Sequence, residues 1–149
     1  MGMNVEMILN PRIIIVDDNP RQLKNLYKIL RDARYDVQIA TTGELALHYV
    51  NSAPPDLIML DVRMPGLDGI EVCSRVKSNP KICSIPVIFL NDFENSQDKP
   101  LCFQNGAAAY LTKPYDPQEV ITCVDTNLRL ADLSKRITAN TALMSYGRA

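Results

Sequence analysis

The sequence predicts an α/β fold, a five-stranded parallel sheet with helices on both faces, and three observations predict it. Short unbroken apolar runs, Ile13 to Val16 and Leu57 to Leu60, have the pattern of parallel strands buried on both sides. Between the strand-like runs lie stretches with apolar residues at helical spacing, such as Leu23, Leu26, Tyr27 and Leu30. Caps and Pro or Gly turns separate the two kinds of segment, and such alternation builds crossovers that return each strand parallel to the last.

In chain order, the first strand runs from Arg12 into Asp17 and Asp18. Asn19-Pro20 then offers an N-cap with proline at the first helical position, opening a helix to about Ala33. In the second strand, Asp36 to Ala40, Val37 and Ile39 alternate with polar neighbours, which suits an edge or near-edge position. Thr41 or Thr42 caps the second helix, where Ala46, Leu47 and Val50 form the buried stripe and His48 falls outside it as a surface side chain. Pro54-Pro55 stops that helix before the central strand, Leu57 to Leu60, which ends on Asp61 and a Pro65-Gly66 turn. A third helix covers Gly69 to Ser78 with Ile70, Cys73 and Lys77 at helical spacing. The fourth strand, Pro86 to Leu90, exits through Asn91-Asp92-Phe93. Glu94 to Asn105 is polar with the weakest helical pattern of the chain, and Asn105-Gly106 would end it. Ala108 to Leu111 is the fifth strand.

The last helix begins near Asp116-Pro117 and meets no further proline or glycine until Gly147. Leu130, Leu133, Ile137, Asn140 and Met144 fall at alternating spacings of three and four, a short heptad-like seam. That seam suits a signalling helix leading into an output domain beyond residue 149, or forming a homodimer in its place. A frayed tail and a helix ordered only by packing are the alternatives.

With 149 residues the chain makes one domain, 12–130, preceded by a leader, 1–11, and followed by a helical linker or tail, 131–149. A net charge of -1, with lysines and arginines scattered among acids, speaks against direct nucleic-acid binding. Cys73, Cys83, Cys102 and Cys123 are widely spaced, form no CxxC pair and share the chain with one histidine, so they read as reduced core thiols of a cytoplasmic protein. No apolar run approaches the roughly 20 residues of a membrane span, and residues 1–10 lack the pattern of a signal peptide.

The chemistry lies where the strands end. Asp17 and Asp18 follow the first, Asp61 closes the third, and Thr112-Lys113-Pro114 follows the fifth. Open α/β sheets bind ligands at this edge. Clustered carboxylates repel one another unless a cation sits among them, and hard oxygen donors suit Mg²⁺ together with phosphate oxygens. A carboxylate can also accept a phosphoryl group as an acyl phosphate. That transfer asks mostly for charge neutralisation and in-line positioning.

Asp17-Asp18, Asp61 with Met64-Pro65-Gly66 and Asp68-Gly69, and Lys113-Pro114 occur in the order seen in response regulator receiver domains, which the chain resembles from about Arg12 to Leu130. The resemblance implies a flavodoxin-like fold with strand order 2-1-3-4-5. It implies Asp61 as phosphoacceptor, Asp18 as direct Mg²⁺ ligand, Asp17 as an acid holding the metal largely through water, and Arg63 as the source of a backbone carbonyl ligand. Lys113 would pair with the phosphoryl group, and the peptide into Pro114 would be cis. The donor would be a histidine kinase or histidine phosphotransfer protein of a phosphorelay. Such a module catalyses its own phosphorylation and dephosphorylation and is not an enzyme with a turnover substrate.

Two positions depart from the family. Receivers carry Thr or Ser at the end of the fourth strand and a small residue next; here stand Asn91 and Asp92. The hydroxyl normally moves toward the phosphoryl group and vacates space for an aromatic on the fifth strand, matched by Tyr110. Asn91 can still donate a hydrogen bond, but its length should shorten the travel. Asp92 would set a further acid near the incoming anion and disfavour it. These departures leave open a pseudo-receiver, a phosphorylation-independent protein-interaction module. An Mg²⁺ phosphatase of the haloacid-dehalogenase kind would need Asp-x-Asp, which Asp61-Val62-Arg63 lacks.

Overall fold

The computed structural model describes residues 10–147, and side chains as far as 141. Most of the expected leader therefore lies outside the described residues. The elements are β1 (Arg12–Val16), α1 (Pro20–Asp32), β2 (Asp36–Ala40), α2 (Gly43–Ser52), β3 (Leu57–Asp61), α3 (Gly69–Ser78), β4 (Val87–Asp92), a 3-10 turn (Phe93–Asp98), α4 (Lys99–Gln104), β5 (Ala109–Lys113) and α5 (Pro117–Gly147). All strands are parallel in the order β2-β1-β3-β4-β5. The order 2-1-3-4-5 and the edge position of β2 are as expected.

Strand alternation sorts the apolar residues into two cores. Ile14, Val16, Ile58, Leu60, Val87 and Phe89 pack with Val50 of α2, Val72 and Val76 of α3 and Cys102 of α4. On the other face, Ile13, Ile15, Leu57, Met59, Ile88 and Leu90 meet Leu23, Leu26 and Leu30 of α1 and Val120 and Val124 of α5. Because β1, β3 and β4 have a buried helix layer on each side, their sequences show no polar alternation.

Helix starts follow their capping chemistry. The Asn19 side chain accepts from the Arg21 and Gln22 amides, Thr42 rather than Thr41 accepts from Leu45, and Asp68 accepts from Glu71. Several local expectations shift. Leu47 is only half-buried. The buried stripe of α3 is Val72, Cys73 and Val76, while half-buried Lys77 donates to the Cys83 and Ile85 carbonyls at 3.0 and 2.6 Å. Cys83 is exposed rather than a core thiol, and all four cysteines are free. The polar segment after β4 splits into the 3-10 turn and the short α4, with Asn95 at non-helical φ -106° and ψ 24°.

Beyond Leu128 the helix α5 leaves the sheet, and Leu130, Leu133 and Ile137 are 57, 53 and 58 % exposed. The first three seam residues are thus apolar and uncovered. Asn140 is exposed as well, and the side chain of Met144 lies outside the described residues.

Candidate functional site

The C-terminal ends of β1, β3 and β5 bring their acids and lysine together. In the sheet Val16 pairs with Leu60, Asp61 with Leu90 and Leu90 with Leu111, so Asp17 and Asp61 lie at one level and Lys113 stands two residues further along. Asp17, Asp61 and Lys113 share the alternation of Ile15, Met59 and Leu111, the face that packs on α1 and α5. Lys113 donates from Nζ to Asp17 Oδ2 at 3.2 Å and to Asp61 Oδ1 at 3.4 Å, and all three side chains are buried. Asp17 Oδ1 also accepts from the Asn19 amide at 3.0 Å. Asp17, exposed Asp18 and Asp61 each offer a carboxylate oxygen, and these oxygens lie within 4.8 Å of one another. The peptide joining Lys113 to Pro114 is cis.

Gly69 sets the backbone of Asp61. Its amide donates to the Val62 carbonyl at 3.0 Å, and a Cβ at this position would fall 2.1 Å from the Asp61 carbonyl oxygen. Only glycine lets the start of α3 come this close.

Electrostatically the pocket holds more negative charge than its lysine neutralises. Burial raises the pKa of Asp61 to about 7; Lys113 opposes that rise and Asp17 adds to it. A cluster of hard oxygen donors with surplus negative charge fits a divalent cation such as Mg²⁺. Arg63 lies two residues past Asp61, and among the described residues no donor is bonded to its carbonyl oxygen.

Among the described residues no hydrogen bond joins Asn91 to Asp61. Its amide nitrogen donates to the Asn95 carbonyl at 2.9 Å and to Asp98 Oδ2 at 3.0 Å. Asp98 in turn accepts from Arg63, Nε at 2.9 Å and Nη2 at 3.0 Å, a two-pronged pair. Although burial pushes the Asp98 pKa up, hydrogen bonds from Arg63 and Asn91 hold it below the usual carboxylate range. Tyr110 pairs with Phe89 across β4 and β5, so it shares a sheet face with Asn91. Its hydroxyl is buried without a hydrogen-bond partner among the described residues, and the Lys99 ammonium sits 5.7 Å from the ring centroid. Asp92 is exposed and lines, with Arg21, Asn25, Lys113 and Pro114, a cavity of about 560 Å³.

Sequence reasoning assigned no role to Asp98. It stands in a polar segment without pattern, and its partner Arg63 is 35 residues away, so no local signal marks it.

The family model described as "Response regulator receiver domain" matches residues 13–125. The chain is 38% identical over 138 residues to the DNA-binding dual master transcriptional regulator RpaA of Synechocystis, covering 92% of this chain and 57% of that protein. It is 38% identical over 119 residues to the transcriptional regulatory protein BaeR of Escherichia coli, covering 80% of this chain and 48% of that protein. The chain thus spans about half the length of these curated relatives. A crystal structure of a putative response regulator from Chloroflexus aurantiacus superposes with a TM-score of 0.79 at 35% identity, covering 81% of this chain and 99% of that one. With the family's pattern carried from β1 to α5 and its acids and lysine meeting at one sheet edge, the chain belongs to the response regulator receiver domain family.

Proposed function

We propose that the domain is a phosphorylation-controlled signalling receiver that accepts a phosphoryl group on Asp61. The reading rests on one observation above all: Lys113 reaches both Asp17 and Asp61, so a single ammonium sits where charge develops on a transferring phosphoryl group. An Asp61 carboxylate oxygen attacks phosphorus, and the new O–P bond makes an acyl phosphate. The P–N bond of a phosphohistidine breaks, and its imidazole leaves with the electron pair and takes a proton. Asp17 and Asp18, with Asp61 and the Arg63 carbonyl, would hold Mg²⁺, which supplies neutralisation of the phosphoryl oxygens. Lys113 orients the anion. Asn91 and Tyr110 serve as the switch pair.

The phosphodonor on this reading is a histidine kinase or histidine phosphotransfer protein in the cytoplasm. Residues 12–130 form the receiver, and 131–149 carry its signal as a helical linker to an output domain or to a second copy. Transcriptional regulators about twice as long among its relatives support membership of a larger signalling protein.

Incubating the purified chain with Mg²⁺ and acetyl phosphate tests the assignment. An intact-mass gain of one phosphoryl group is expected, lost in Asp61→Asn. Equal labelling of both proteins would refute it. The pseudo-receiver alternative draws on the commitment of Asn91 to Asn95 and Asp98. It predicts no labelling and no Mg²⁺ binding.

A further inference from the structure

We infer that Asp98 is a positioning residue, an internal anion that holds the Asn91 amide and the Arg63 guanidinium off the phosphorylation site until a phosphoryl group competes for them. This rests on Asp61 being the phosphoacceptor.

Both donors are rooted beside Asp61. Arg63 lies two residues beyond it, and Asn91 follows Leu90, the residue paired with Asp61 across β3 and β4. Both tips nevertheless converge on Asp98 Oδ2, at 2.9 Å from Arg63 and 3.0 Å from Asn91. The remaining contact of the Asn91 amide, to the Asn95 carbonyl, lies in the same 3-10 turn. Two donors rooted beside the nucleophile are therefore tied to a turn that itself buries no residue. Packing offers that turn little resistance to movement.

A phosphoryl group carries more negative charge than a carboxylate and three acceptor oxygens. Placed on Asp61, it draws on the same donors that Asp98 occupies. An amide or guanidinium that swings toward it must leave Asp98, and departure of Asn91 also frees Asn95. Loss of Asp98 should therefore favour the phosphorylated state, whereas loss of an ordinary surface ion pair would leave that equilibrium unchanged.

Beryllofluoride, a mimic of the phosphoryl group, is the probe. In the presence of Mg²⁺, its affinity for the wild-type chain, Asp98→Ala, Asp98→Asn and Asp98→Glu is measured by NMR, with the Asn91 side-chain amide resonance followed before and after addition. Asp98→Ala should bind about fivefold more tightly, the equivalent of one lost competing hydrogen bond. Its Asn91 resonance without beryllofluoride should move toward the bound position. Asp98→Glu should return both readouts toward wild type. If Asp98→Ala does not fold, Asp98→Asn keeps the shape, removes the charge and should shift affinity in the same direction. Unchanged or weaker beryllofluoride binding in the folded neutral variant overturns the inference. Failure of the wild-type chain to bind the probe or to be labelled by acetyl phosphate instead overturns the phosphoacceptor assignment, so the two failures are distinguishable.

Discussion

Lys113 and Asp61 meet at 3.4 Å although 52 residues separate them, and the same ammonium lies 3.2 Å from Asp17. One buried cation thus serves two buried carboxylates. Removing it leaves both without a counter-charge, which costs far more than the pair itself contributes. Lys113→Ala should lower stability near neutral pH by about 3 kcal/mol without added metal. Added Mg²⁺ should restore part of that loss while phosphorylation by acetyl phosphate stays low. Chemical denaturation with and without Mg²⁺ measures it, and a loss under about 0.5 kcal/mol, the range of ordinary surface changes, contradicts it.

The raised pKa of Asp61 gives the metal-free domain a defined pH response. Its folded-state value of about 7 lies above the ordinary 3.8, so between these values the folded chain keeps a proton that the unfolded chain has lost. Stability contributed by this group therefore falls as pH rises through that window and levels off above it. Melting temperatures of the wild type relative to Asp61→Asn should decline from about pH 4 to pH 7. Stabilisation by Mg²⁺ should grow over the same range, because the cation competes with the proton. Parallel curves for the two proteins would contradict the assignment.

Gly69 is expected to tolerate no side chain. In Gly69→Ala the new methyl would meet the Asp61 carbonyl oxygen at 2.1 Å unless the backbone moves. The change should cost about 3 kcal/mol and slow labelling at Asp61 in whatever fraction remains folded. By contrast Gly66→Ala, at φ 73° where an added Cβ would come no nearer than 3.5 Å to Glu44, should lose stability through backbone strain with no comparable clash. Urea denaturation of the two alanine variants, with acetyl phosphate labelling, separates these cases.

The exposed seam of α5 should matter to association rather than to folding of the domain. Leu133→Lys and Ile137→Lys alter side chains more than half exposed, so monomer stability should change by less than about 0.5 kcal/mol. If α5 pairs with a second copy along this seam, sedimentation should show self-association of the wild type weakened in both variants. Identical sedimentation of all three proteins would remove the dimer from the proposal.

The sequence by itself determined the layout of this protein. Unbroken apolar runs marked the central strands, helical spacing marked α1 and α2, and acids at strand ends marked the pocket, since burial on both faces, helical period and capping all act over a few residues. Asp17, Asp18, Asp61 and Lys113 were legible because chain order and strand direction alone carry them to one edge. Only the tertiary structure decided where Asn91 points, that Arg63 and Asp98 form a pair, and that Gly69 is pressed against the Asp61 carbonyl. These depend on how separate segments approach one another through the twist of the sheet and the path of a turn, and such distances in space have no local periodicity to announce them.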